Sequence, residues 1–356
     1  MFWHSYQPSA RYSTIIGNET SRAKFDCIYN SQTQTEDPAD ILIFGSSRAG
    51  SYFDDRFISR WVSEFSGEPT YVQNLNVAGG DISLSYIFLK EYLEKNNPDI
   101  VYVEVLRIKP QVSLIPYVNR AFSSTADWDT TNDLLRDFDD NRSLFFRAAD
   151  MSRVMIDKTD KYISKLLVRE YSITVENPEA CIRNEMIKTV KNIDADASRK
   201  RFSALYKREL ANLNKDAESA NAIRRETNLP RRERALKRHR EKMGEAWETA
   251  EPKGWDYDTD MAKRQLYYFQ KLEDLTATKG VELVYFRPYG LFDAEYTTDL
   301  IAKYEGVFGA DIIYPPYDMA KLAYPYYVDP NHAGKQSRRA FALWLTEDIM
   351  ARTGKF

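Results

Sequence analysis

The chain has 356 residues, 43% hydrophobic and 29% charged, which excludes wholesale disorder and allows one large domain with an insertion, or two domains. A formal net charge of -3 and a pI near 5.9 exclude a global attraction to nucleic acid or anionic membrane, so polyanion binding has to be local. No run approaches the roughly 18 apolar residues of a membrane span, and Met1 to Tyr6 lacks the basic-then-apolar order of a signal peptide, so a soluble, unexported chain is expected.

Residues 1–39 read as an N-terminal arm. The first strand is expected at Ile41 to Phe44, followed by a small-residue turn and a helix from about Phe53 to Phe65. A second strand, Tyr71 to Val77, leads to a helix from Ile82 to Asn96 with Asp81 as its N-cap, and Pro98-Asp99 opens a third strand, Ile100 to Leu106. About 170 residues then precede the fourth strand, far more than a crossover needs, so they form an insertion. Its first part, Ala126 to Asp150, is rich in Asp and Asn and reads as irregular. Lys188 to Trp255 is rich in Lys, Arg, Glu and Ala and reads as charged, mostly solvated helices. A helix from Asp258 to Thr278, stopped at Gly280, leads to strands at Val281 to Phe286 and Ile312 to Tyr314, and the last helix spans Gly334 to Thr353.

Short apolar strands alternating with helices predict an α/β fold, a parallel sheet with helices on both faces, split as 40–125 and 256–356 around a helical insertion at 126–255. Trp61 and Trp344 fall at helical spacings with other apolar residues and are expected in the core. Cys27 and Cys181 are too few and too far apart for a metal site or a disulfide framework, and read as two unpaired thiols.

The turn Gly45-Ser46-Ser47-Arg48-Ala49-Gly50-Ser51 is the first candidate for chemistry. It lacks the lysine of a phosphate-binding loop and the spacing of a dinucleotide fingerprint. As a nucleophile turn, Gly45 lets the backbone bend after the strand, and Ser47 opens the next helix with its N–H toward substrate and partial positive charge where an oxyanion develops. The structural alternative is a helix cap.

Only His4, His239 and His332 are available as bases, and His332 alone combines a position beside strand ends with a neighbouring carboxylate. In Asp329-Pro-Asn-His332 the carboxylate can accept from one ring nitrogen while the other faces outward as general base. Read without the serine, His332 caps the last helix and Asp329 closes a turn. Read with it, Ser47, His332 and Asp329 form a nucleophile, base and orienting acid.

These residues, in this order, resemble the GDSL or SGNH esterase superfamily over the first 110 residues and about the last 80. The resemblance implies a flavodoxin-like three-layer α/β/α sandwich with a five-stranded parallel sheet. Phe44-Gly45-Ser46-Ser47-Arg48 matches the nucleophile block, with Ser46 in place of the usual aspartate, and looks like the branch associated with bacterial cell-surface polymer modification and exopolysaccharide acylation. In Asn74-Leu-Asn-Val-Ala-Gly79-Gly80-Asp81, Gly79 aligns with the glycine whose N–H joins that of Ser47 in the oxyanion hole. The third block departs from the family: Glu104-Val-Leu-Arg107 stands where Gly-x-Asn-Asp is usual, so the third oxyanion donor is absent. Either Arg107 substitutes as a charged donor, or Arg48 and Glu104 form an ion pair beside the site; Arg48 and Arg107 are also candidates for substrate binding.

What the resemblance implies is a serine esterase or O-acyltransferase for an acylated carbohydrate or envelope polymer, with no metal or organic cofactor, a bacterial cell-envelope or periplasmic setting, and room for a membrane-bound acyltransferase partner. A degenerate, non-catalytic scaffold of a polysaccharide assembly machine stays open, and oligomeric state is not set. An α/β-hydrolase turn is approached by Gly45-x-Ser47-x-Ala49, but there the serine follows several strands and the acid lies far from the histidine. Arg224 to Lys242 offers a basic patch interleaved with Glu226, Glu233 and Glu241 and lacks an aromatic platform, which favours a solvated helical face and disfavours nucleic acid. Tyr314-Pro-Pro-Tyr317 and Tyr324-Pro-Tyr-Tyr327 suit either stacking on sugar rings or packing of their loop on the sheet.

Overall fold

The computed structural model describes residues 39–76, 82–94, 96–105, 195–227, 260–288, 312–323, 326–327 and 332–355. Through them run β1 (Ile41–Phe44), α1 (Ser47–Tyr52), α2 (Asp55–Ser66), β2 (Val72–Asn74), α3 (Ile82–Leu93), β3 (Ile100–Glu104), α4 (Ala195–Thr227), α5 (Asp260–Lys279), β4 (Glu282–Phe286), β5 (Ile312–Ile313), α6 (Tyr317–Ala323) and α7 (Lys335–Arg352). The strands form one all-parallel sheet in the order β2-β1-β3-β4-β5.

The near-continuous apolar strands follow from burial on both faces. Leu42, Phe44, Val101, Val103 and Tyr285 point to one side, against Leu89 and Leu93 of α3 and Tyr268 and Leu272 of α5. Ile41, Ile43, Ile100, Tyr102, Val284 and Phe286 point to the other, against Ile58 and Val62 of α2 and Phe341, Leu345 and Ile349 of α7. The period of two thus divides the core between two helical layers, and the α/β/α sandwich is the result. Trp61 and Trp344 are both buried in the second layer.

The expected helix from about Phe53 to Phe65 is α2, and the turn before it carries a short helix of its own, α1. Phe53 is extended at the end of α1, and Asp54 starts α2 by accepting from the Arg56 N–H at 3.2 Å. The break is held from outside: Asn74 Nδ2 donates to the carbonyls of Ala49 at 3.2 Å and Phe53 at 3.1 Å. Other boundaries differ by a few residues, β2 and β5 being shorter than expected. Gly280 ends α5 with a φ of 67°, a left-handed conformation suited to glycine.

From the insertion, α4 packs against α2, α6 and α7. Ser198, Phe202, Glu209 and Leu213 form a buried stripe on a helix that is otherwise largely exposed over residues 196–215. Phe202 meets the Phe65 ring edge-on at 5.1 Å, and the Ser198 hydroxyl donates to the Phe65 carbonyl. The charged, mostly solvated reading therefore holds for the outer face of this helix, while its inner stripe completes a layer of the sandwich.

No helix among the described residues is long and apolar enough to cross a membrane. Residues 1–38, Cys27, Cys181, Asp81, the 126–150 segment and the basic run beyond Thr227 lie outside the described residues.

Candidate active site

β1 and β3 are neighbours, while the chain leaves β1 for β2 on its other side, so the strand order changes direction here and opens a crevice at the carboxyl ends of β1 and β3. Gly45 follows β1 in that crevice. A Cβ on it would fall 2.6 Å from both Ala49 Cβ and Glu104 Oε2, so the close approach admits only glycine.

Ser46 is the N-cap of α1, its Oγ accepting from the Arg48 N–H at 3.1 Å. Its own N–H and hydroxyl both donate to Glu104 Oε2, at 2.7 and 2.9 Å. Glu104 ends β3 and is 2% exposed, and its Oε1 lies 3.7 Å from Arg48 Nε. Arg48 Nη2 donates to the Pro288 carbonyl just beyond β4. One buried acid and one guanidinium thus tie the carboxyl ends of β1, β3 and β4, forming the ion pair that was one of the two options for Arg48. Arg287, 1% exposed, adds a hydrogen bond from Nη1 to the Val105 carbonyl at 3.0 Å.

His332 arrives from the far end of the chain, three residues before α7. The next residue is pinned to α1: the Ala333 N–H donates to Ser51 Oγ at 3.2 Å, and that hydroxyl donates to the Arg48 carbonyl at 2.8 Å. Arg338 Nε donates to the Ser51 carbonyl at 3.1 Å. Ser51 lies one helical turn after Ser47, so the same turn carries the serine and anchors the histidine.

In consequence Ser47 Oγ and His332 Nε2 are 2.7 Å apart, although 285 positions separate them in sequence. With the imidazole proton on Nδ1, the hydroxyl donates to Nε2, the arrangement a general base needs. Both side chains are half-buried. Behind them, Asn76 packs on Gly50, where a Cβ would fall 2.3 Å from Asn76 Nδ2, and the Asn76 N–H donates to Asn74 Oδ1 at 3.2 Å.

Of the residues singled out in the sequence, Ser47, Arg48 and His332 come together, while Gly79, Arg107 and Asp329 lie outside the described residues. Tyr326 and Tyr327 are buried. Tyr326 donates to the Leu213 carbonyl at 2.8 Å, and the Tyr327 hydroxyl bonds that of Tyr52, so these two rings pack rather than present a sugar platform. Sequence reasoning passed over Ser51, Asn74 and Arg287. Only the position of Ser51 one turn beyond Ser47 offered a signal.

The chain matches no protein-family model, and no curated protein matches it significantly. The functional reading therefore rests on residues and geometry.

Proposed function

We propose that this protein is a serine esterase or O-acyltransferase of the SGNH type, acting on an acylated carbohydrate or cell-envelope polymer. The observation that carries the reading is the 2.7 Å approach of Ser47 Oγ to His332 Nε2 at the carboxyl ends of a parallel sheet. Ser47 Oγ attacks the ester carbonyl carbon while His332 takes its proton. The tetrahedral intermediate collapses with cleavage of the C–O bond, and His332 returns the proton to the departing alkoxide. Water or a sugar hydroxyl then attacks the acyl-serine, His332 accepts its proton, and Ser47 is regenerated by that proton.

In this reading Asp329 holds the imidazole tautomer, and the N–H groups of Ser47 and Gly79 stabilise the oxyanion. Arg48 serves the turn through Glu104, and Arg107 is left as the candidate charged donor and substrate contact. The chemistry calls for no metal or organic cofactor. An envelope or periplasmic setting and a membrane-bound acyltransferase partner belong to the same proposal.

A non-catalytic binding or scaffold component is the second reading. The observation favouring it is Glu104, a buried carboxylate at the end of β3 beside the nucleophile turn, in a block that lacks the usual asparagine. Loss of one oxyanion donor slows other enzymes about 10² to 10³-fold.

Fluorophosphonate labelling tests the proposal. The wild-type protein is expected to gain one covalent adduct on Ser47, Ser47→Ala to gain none, and His332→Ala to react far more slowly. An unlabelled wild type, or a label that survives Ser47→Ala, overturns the catalytic reading.

A further inference from the structure

Away from the serine, a groove of about 470 Å³ lies between α2, α4 and α7, and every cation lining it is an arginine: Arg60, Arg201, Arg208 and Arg339. Two acids offset them. Glu64 pairs with Arg201 at 3.0 Å, and Glu209 pairs with Arg339 at 3.2 Å and approaches Arg208 at 3.8 Å. The groove therefore concentrates two excess positive charges on a chain whose formal net charge is -3.

The ion pairs hold three of the guanidiniums without burying them: the side chains of Arg201, Arg208 and Arg339 are 55%, 66% and 45% exposed. Arg339 also lies over the Phe57 ring at 5.3 Å, and Phe57 stacks on Trp61 at 5.4 Å. The result is a set of planar forks around a half-buried Phe57, with Trp61 and Phe65 buried beneath. Such forks take carboxylates in paired hydrogen bonds. Arg339 is four residues into α7, about 6 Å along the axis from the helix start that follows His332, so the helix that lines the groove is the one that follows the histidine.

We infer that this groove is a subsite for an anionic, carboxylate-bearing polysaccharide, an assignment whose carbohydrate half rests on the proposed function. It holds the polymer by its acid groups while an acylated residue reaches Ser47. Binding is salt-sensitive, because the contacts are exposed charges.

The test is calorimetric titration of the full chain with an oligogalacturonate, with a neutral maltooligosaccharide of equal length and with inorganic phosphate. The double variant Arg60→Glu, Arg208→Glu is compared with wild type, both side chains being exposed. The inference expects oligogalacturonate to bind and to weaken with salt. It expects the double variant to bind about tenfold or more weakly at unchanged Tm and unchanged Ser47 labelling, and the neutral oligomer not to bind. It is overturned by a wild type that ignores oligogalacturonate, by equal binding of the neutral oligomer or of phosphate, or by a folded variant that binds as wild type does. Binding is read without turnover, so an unreactive Ser47 counts against the esterase alone, and a reactive Ser47 without oligogalacturonate binding counts against the groove alone.

Discussion

The hydroxyl of Ser51 accepts a hydrogen bond from the Ala333 backbone N–H across 282 positions of sequence, and this contact brings His332 to Ser47. Ser51→Ala leaves that buried N–H unpaired, at a cost of about 1–3 kcal/mol. The expected outcome is a lower urea midpoint together with slower fluorophosphonate labelling of Ser47. Labelling at the wild-type rate would show that the serine and histidine keep their register without the bond.

Glu104 combines two hydrogen bonds from Ser46 with the approach to Arg48 Nε. Glu104→Ala removes the carboxylate that faces the largely buried Arg48 guanidinium and is expected to destabilise by about 3–5 kcal/mol. Glu104→Gln keeps an oxygen for Ser46 and is expected to fold, with labelling slowed by a loosened turn. Wild-type stability in both variants, measured by urea unfolding, would remove the assigned role of the carboxylate.

Phe202 is 3% exposed where α4 meets α2. Phe202→Ala is expected to cost about 3–5 kcal/mol in thermal or urea unfolding, whereas Lys200→Ala on the exposed face should change stability by no more than about 0.5 kcal/mol. A small effect at Phe202 would mean that this helix is only loosely attached to the sandwich.

Burial raises the pKa of Tyr92 to about 12 and pushes Tyr102 and Tyr285 upward, with Asp348 adding to the effect at Tyr102 and Glu273 at Tyr285. A tyrosine in the unfolded chain ionises near pH 10. Because the folded values are raised, the linked stability is fully present below about pH 10 and is lost as pH rises through the folded values. The urea midpoint is therefore expected to fall progressively above about pH 10, and Tyr285→Phe to make that fall shallower. A flat alkaline profile, or an unchanged fall in Tyr285→Phe, would contradict this.

The strands were legible because both of their faces are buried, which writes each of them as an apolar run. Helix ends were legible where backbone chemistry is local, as at Gly280. The end of α1 as a short helix of its own was not, since the carbonyls there are satisfied by Asn74 from β2. Nor was the inner stripe of α4, where Phe202 and Leu213 are sparse among charges and acquire meaning only against α2, α6 and α7.

For the candidate site, Ser47 and His332 stood out by residue type, by scarcity and by their places beside strand ends. The residues that position them did not, because a serine that caps a turn looks in sequence like any other. Residue chemistry and the strand-helix alternation were set locally, by side-chain type and hydrophobic period. Whether a hydroxyl near one end of the chain reaches an imidazole near the other was decided by the strand order β2-β1-β3-β4-β5 and by the bonds of Ser51. The reason is physical: periodicity is carried by neighbours in the chain, whereas hydrogen bonds between distant segments exist only once packing of the whole sheet has fixed which strand ends stand side by side.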